Sequence, residues 1–296
     1  MTLLVGYPVK LRADDVMHLA VTLARSTGED LVVAVITPAP WMPGMSRADQ
    51  GYRAYIDELV SDAHAAARAH VPADISARYV SAAARSVPAG LMDAAAAAGA
   101  DAIVVGSSDD GRPGEVALSS VADRLLHSAQ VPVAVATRGY PADIPGITRV
   151  TLAFTGGAQN LVLLAFARAL ASRYGCPLRL VSFAVHLSPP EVARFNTESG
   201  QVLAEWTENI YAAAHRALGD HPDETPQIVI ARGEQWAEAF GTVDWEAGEL
   251  LVVGSSEAGP IERVFLGSRA TKIVRHSPVP VLVVPRAATD NPANLH

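Results

Sequence analysis

The sequence predicts a tandem α/β protein: two doubly wound domains, each with a five-stranded, mainly parallel sheet flanked by helices. Three observations carry this expectation. The chain has 296 residues, about twice a common domain length. Its halves repeat: placing Gly106 on Gly254, 148 residues apart, also superimposes "ADAIVVGSS" on "GELLVVGSS" and "VPVAVA" on "VPVLVV". Within each half, short apolar runs that hardly alternate are separated by longer stretches of helical period, the pattern of parallel strands covered on both faces.

The first half justifies the elements in order. Strands are expected at "LLVGY" (3–7), "LVVAVI" (31–36), "ISARYVS" (75–81), "AIVVG" (102–106) and "PVAVA" (132–136), all β-branched or small runs. Between the first two, Val16, Leu19, Ala20, Leu23 and Ala24 recur at helical spacing behind Asp14 and Asp15, which suit an N-cap. Tyr52, Tyr55, Ile56, Leu59 and Ala63 mark a second helix. The alanine-rich stretch Val87 to Ala98, closed by Gly99, marks a third, and Val121 with Leu125 the last. Toward the start of the repeat, Leu31 in "DLVVAVI" meets Leu178 in "PLRLVSF" at an offset of 147, so one residue separates the registers.

The join falls near "TRGYPADIPGITR" (137–149), where two prolines and two glycines interrupt regular structure. Domain boundaries follow at 1–139 and 147–287, with a disordered tail expected over 288–296. Half of the residues are hydrophobic and 18% are charged, ample material for buried cores. Formal net charge is −8 and no basic run tracks a phosphate backbone, so no nucleic-acid partner is expected. The start, "MTLLVGYPVK", has no basic residue ahead of its apolar stretch, and Pro8 follows too soon for a signal-peptide core. The longest apolar run, Leu161 to Ala171, is short and broken by Arg168, so no membrane partner is expected either. Cys176 is the single cysteine, which rules out a disulfide framework. A soluble cytoplasmic protein is the resulting expectation.

The chemistry-bearing stretches are "VVGSSEAGPIERVFLGS" (252–268) and its first-half copy "VVGSSDDGRPGEVALSS" (104–120). Each follows an apolar strand, and in a doubly wound sheet ligands sit beyond the carboxyl ends of the strands. A strand ending in "VVGS", a small-residue loop, "GS" opening a helix, then "RHSPVPVLVVP" (275–285) resembles the universal stress protein family in its tandem two-domain form, across almost the whole chain. The resemblance implies, for the ATP-binding branch, the pattern G-x2-G-x9-G-[S/T] and an Asp at the end of the first strand. Glycines in that pattern let backbone N–H groups approach phosphate oxygens, and the final Gly-Ser presents a helix N-terminus and a hydroxyl to the anion.

Laid on the pattern, the second half keeps Gly254, Gly267 and Ser268 but has Glu257 at the second glycine. The first half keeps Gly106 and Ser120, with Asp109 and Ser119 at the other two positions. Glu257 and Asp109 would place carboxylates near a triphosphate, a repulsion that only an intervening cation such as Mg²⁺ offsets. Pro8 and Thr155 stand where the family's Asp would, although Thr155 with Gly156 and Gly157 forms a permissive turn able to donate hydrogen bonds. The candidate nucleotide contacts are therefore Gly254, Ser255, Gly267, Ser268, Thr155 and Gly156 in the second half. In the first they are Gly106, Ser107, Ser119 and Ser120. ATP or a related nucleotide with Mg²⁺, and no cofactor at all, stand as equal alternatives. The bland reading of Gly254, Gly267 and Ser268 is a tight strand-to-helix turn with an N-cap.

Other residues point less far. His64 and His70 lie six apart, off one helical face, so no metal site is expected. Cys176 reads as a buried or half-buried thiol, Trp236 and Trp245 as packing residues, and Asp14 with Asp15 as caps rather than a catalytic pair. The segments 37–52 and 186–201 follow the second strand of each half, where the resemblance implies a variable excursion beside the cleft; a lid and a Pro-rich connector are the alternatives. In single-domain relatives the fifth strand pairs across a dimer axis, so the resemblance implies that "VPVAVA" and "VPVLVV" pair within this chain.

Three functional readings stand open. The first is a regulatory or binding universal stress protein with a degenerate nucleotide site, most intact in the C-terminal half, acting without turnover and through an unidentified protein partner. The second is an ATP-binding stress protein with working sites and slow hydrolysis. The third is a nucleotide-dependent enzyme of the wider α/β group; it needs acid/base or cationic groups converging on the cleft, and Arg112, Arg263 and Arg269 alone do not amount to that.

Overall fold

The computed structural model describes residues 2–9, 13–39, 47–156, 158–185, 196–218, 226–255 and 266–289. The first half runs β1 (Thr2–Gly6), α1 (Asp14–Thr27), β2 (Asp30–Pro38), α2 (Arg47–Arg68), β3 (Ala77–Ala84), α3 (Val87–Ala98), β4 (Ala102–Val105), α4 (Ser120–Leu126) and β5 (Val133–Val135). The second repeats it: β6 (Arg149–Ala153), α5 (Ala158–Tyr174), β7 (Leu178–Val185), α6 (Asn196–Leu218), β8 (Gln227–Gly233), α7 (Trp236–Gly241), β9 (Glu249–Gly254), α8 (Ser268–His276), β10 (Val281–Val284) and a closing turn, α9 (Arg286–Thr289).

The two five-stranded halves merge into one ten-stranded sheet of order β3-β2-β1-β4-β5-β10-β9-β6-β7-β8. Neighbours within each half are parallel. The junction is antiparallel, with Val281 opposite Val135, Leu282 opposite Ala134 and Val283 opposite Val133. Unjoined, β5 and β10 would each be an apolar edge with unpaired N–H and C=O groups; pairing them removes both edges. The strands inside are buried on both faces, including seven consecutive residues of β2 and all of β4 and β10, which is why their sequences do not alternate.

One core lies on each face of the sheet, and both draw on both halves. One packs Leu19 and Leu23 of α1 with Leu164 and Phe166 of α5; the other packs Leu91 of α3 and Leu125 of α4 with Phe240 of α7 and Ile273 of α8. The connector near 137–149 is docked along α1. There His18 Nδ1 meets the Tyr140 carbonyl at 2.8 Å, and the Ile147 N–H donates to Ser26 Oγ at 2.7 Å. Across the halves, Arg173 donates to the buried carboxylate of Glu29.

The second half also encloses an ion cluster where β6, β7 and β9 begin. Glu249 is fully buried; one carboxylate oxygen accepts from Thr151 and Arg179, the other from Arg149 at 2.8 Å and the Glu246 N–H at 3.0 Å.

Several expectations need correction. The N-cap of α1 is Ala13, without a side-chain cap; Asp14 and Asp15 lie inside the first turn, where they complement the helix dipole, and Asp14 pairs with His70 at 3.1 Å. The second helix stands where Tyr52, Tyr55, Ile56, Leu59 and Ala63 mark it; it packs through Ala63 and Ala67, with Val60 partly buried, and leaves Tyr52 and Tyr55 on exposed surface. The third strand runs two to three residues later than expected, because its pairing with β2 continues to Ala84 opposite Pro38. Segment 37–52 is helical from Arg47 and segment 186–201 from Asn196, while 40–46 and 186–195 lie outside the described residues. Of the tail, Ala288 is buried in α9 and 290–296 lie outside the described residues. Trp236 and Trp245 do pack against the core, with Trp245 donating to the Phe240 carbonyl at 3.0 Å. Cys176 is half-buried, and burial pushes its thiol pKa up.

Candidate functional site

In the second half, register brings the motif residues together. β6 and β9 pair with Leu152 opposite Val252, so Thr155 and Gly254 leave adjacent strands at the same end of the sheet. Gly254 has a packing reason to be glycine: a Cβ there would come within 2.9 Å of a Leu163 methyl of α5. Ser255 is engaged locally, its N–H donating to the Val284 carbonyl at 3.0 Å and its hydroxyl accepting from the Arg286 N–H at 3.2 Å. Thr155 and Asn160 close the turn into α5, through Thr155 N–H to Asn160 Oδ1 at 3.1 Å and Asn160 Nδ2 to Thr155 Oγ1 at 2.7 Å. Gly156 adopts φ 79°, and a side chain there would meet Ile210 of α6 at 3.2 Å.

Gly267 is the N-cap of α8, with φ −60° and ψ 158°. A glycine has no side chain to accept from the first-turn N–H groups, and Ser268 at the first helical position is exposed. The Gly267 carbonyl is held by Thr271, whose N–H donates at 2.9 Å and whose hydroxyl donates at 3.1 Å. Arg269, next along, reaches the carbonyl of Phe183 near the end of β7. The sequence already sets Arg269 by the cleft; what it does not show is this carbonyl partner. Glu257 lies outside the described residues.

The first-half copy is stitched shut. Ser107 Oγ donates to the Ala136 carbonyl at 2.6 Å and accepts from the Ala117 N–H at 3.0 Å, while the Ser108 N–H donates to the Ala117 carbonyl at 2.7 Å. The Gly114 N–H donates to the Arg138 carbonyl at 2.8 Å, the Arg138 N–H to the Glu115 carbonyl at 3.0 Å, and the Arg138 guanidinium to the Gly111 carbonyl. Ser119 caps α4 by accepting from the Ala122 N–H at 3.1 Å. Gly106 has no such close packing, its nearest neighbour being Val16 at 3.7 Å from an added Cβ. Ser120 and Asp109 are exposed.

The motif segments also touch the opposite half, in near-symmetric fashion. The Val116 N–H donates to the Ser277 carbonyl at the end of α8, at 3.2 Å. The Leu266 N–H donates to Nδ1 of His127 at the end of α4, also at 3.2 Å. Among the described residues no group of three or more His, Cys, Asp or Glu side chains is arranged to hold a metal ion. No helix among them is long and apolar enough to cross a membrane.

The chain also has relatives among known proteins. The model of the universal stress protein family matches twice, over residues 1–137 and 146–285. A universal stress protein of Mycobacterium tuberculosis is 36% identical over 293 residues, which span 96% of this chain and 100% of the relative. A universal stress protein of Mycobacterium bovis matches equally. Among solved structures, a universal stress protein from Archaeoglobus fulgidus superimposes with a TM-score of 0.61 at 16% identity, over 96% of this chain and 98% of that one. A Pseudomonas aeruginosa structure described as a putative universal stress protein gives 0.59 at 16% identity, over 99% and 95%. At that identity the structures speak for the fold, and the matched family model and the 36% identical relative carry the assignment: the chain belongs to the universal stress protein family.

Proposed function

We propose that this chain acts by binding and regulation, with a single nucleotide-competent motif in its second half and a first-half motif that has become structural. The observation that carries the reading is the contrast between the two helix starts. At α4 the Ser119 hydroxyl occupies the Ala122 N–H, and the preceding loop closes on its own donors. At α8 glycine is the N-cap and offers no side chain to the first-turn N–H groups, and the Ser268 hydroxyl beside them is exposed. ATP or a related nucleotide fits this donor set through its phosphates, at Gly254, Gly267 and Ser268, with Thr155 and Gly156 on the adjacent strand end. Mg²⁺ would arrive with the nucleotide and balance its charge.

A threonine in place of the family's first-strand acid weakens the contact expected at the sugar. That favours a modest-affinity sensor over an efficient ATPase, and the turns at Thr155–Asn160 and Ser255–Arg286 give no acid/base pair for turnover.

The test is to denature freshly purified protein, measure released nucleotide, and titrate the stripped chain with ATP and Mg²⁺ by calorimetry. Binding near one per chain, lost in Gly267→Glu and retained in Ser120→Glu, is expected. Absence of released nucleotide together with no heat at millimolar ATP would refute the reading.

A further inference from the structure

Helix α8 turns Ala270, Ile273 and Val274 to the core and presents Ser268, Lys272 and Arg275, spaced i, i+4 and i+7, outward. Arg269 and His276 flank that face, and Trp236 of α7 stands beside His276 with ring centroids 6.4 Å apart. Among the described residues no carboxylate forms an ion pair with any of these four basic side chains.

The repeat supplies an internal control. In the first half, Val121, Asp123, Arg124, His127 and Ser128 stand 148 residues before Arg269, Thr271, Lys272, Arg275 and His276. The same element thus folds with balanced charge in one copy and carries a concentrated positive face in the other. Folding does not require that face, and it sits on a chain of net charge −8.

The same chain exposes its complement. On α2, Tyr55, Glu58 and Asp62 are exposed and share one face by their i, i+3, i+7 spacing, with Tyr52 alongside. Tyr52 and Tyr55 are 51% and 49% exposed, high values for large aromatics, and neither Glu58 nor Asp62 has a basic ion-pair partner among the described residues. Tyr55 to Asp62 and Ser268 to Arg275 each span seven residues of helix, about 10 Å, so the two stripes match in length as well as in sign.

We infer that the α8 face of one copy docks on the α2 face of a second copy, pairing Lys272 and Arg275 with Glu58 and Asp62 and placing Tyr55 against the Trp236 side. The patches differ, so the contact is heterologous and propagates head to tail unless its rotation closes a ring. It does not depend on nucleotide.

The experiment is sedimentation velocity of the full chain at about 0.01 M and about 1 M ionic strength, where the Debye length is roughly 30 Å and 3 Å. Net charge alone would drive copies apart at low salt, so complementary pairing is recognisable by the opposite trend. Expected is a weight-average mass above 31.0 kDa that rises with concentration at low salt and returns to 31.0 kDa at high salt. Lys272→Glu/Arg275→Glu and Glu58→Lys/Asp62→Lys should each remain monomeric alone. An equimolar mixture of the two should associate, because each reversed face then meets an opposite charge. A wild-type chain that stays at monomer mass overturns the inference, as does association that survives either reversal or that mixing fails to restore.

Discussion

Glu249→Gln removes one negative charge from the enclosed ion cluster while keeping its volume. The carboxylate is fully buried and takes four hydrogen bonds, two on each oxygen. Arg179 is 2% exposed; burial pulls its pKa down, and Glu249 is the main group opposing that shift. Without the carboxylate, a buried guanidinium loses its counter-charge, and an amide N–H₂ must face donors on one side. Breaking a buried pair from one side costs about 3–5 kcal/mol. Arg149 limits the loss, because it keeps Glu246 at 2.8 Å. In a chain of this size each kcal/mol lowers the melting temperature by about 2–4 °C, so a drop of roughly 6–20 °C is expected by thermal denaturation followed by circular dichroism.

The repeat also suggests the compensating change. Val32 stands where the second half has Arg179 and is itself 3% exposed, so the fold accepts an apolar residue at that register. Glu249→Leu combined with Arg179→Val should recover most of the stability, since apolar replacement of a buried pair is often neutral or better. A loss below about 1 kcal/mol for Glu249→Gln, in the range of solvated surface pairs, would refute the argument that this cluster is held out of water.

Three further outcomes follow from the packing. Gly233→Ala would put a Cβ 2.5 Å from the Ala239 backbone nitrogen and 2.8 Å from the Gln235 carbonyl oxygen, neither of which can swing away. Overpacking of that kind costs about 1–3 kcal/mol, readable in urea unfolding. Ser119→Ala removes the α4 cap and should cost about 1 kcal/mol while leaving the nucleotide content of the purified protein unchanged. Glu29 has its pKa raised above the ordinary carboxylate value, chiefly by burial and further by Asp101, with Arg173 opposing. The folded chain therefore holds this proton more tightly than the unfolded one, so the contribution is full below the ordinary pKa of 4.5 and declines as pH rises through the folded value. Glu29→Gln should flatten that decline in denaturant unfolding measured from acid to neutral pH; an unchanged slope would remove Glu29 as its source.

What could be read in advance was whatever the chain encodes locally or by repetition. Val87 to Ala98 ends where Gly99 caps it, because capping chemistry is contained within a few residues. Helical spacing at Tyr52, Tyr55 and Ala63 showed the helix but not which face is covered; α2 buries Ala63 and Ala67 and leaves both tyrosines exposed. Arg179 and Glu249 lie 70 residues apart, and a lone arginine inside an apolar run gives no sign of its partner.

By itself, the sequence determined the duplication, the strand-helix alternation and the positions of the motif glycines, since hydrophobic period and repeat register are properties of the chain as written. Tertiary structure decided that the first copy of the motif closes on itself. The Ser107 hydroxyl is engaged by Ala136 and Ala117, whereas Gly267 caps α8 with no side chain at all. It also set the antiparallel register, Val133 to Val135 against Val281 to Val283, of the strand pairing that the resemblance implied, and turned α8 outward with its charges uncompensated by any described carboxylate. The physical reason is common to these outcomes: hydrogen-bond donors, strand edges and charges acquire their meaning from whatever the fold brings next to them.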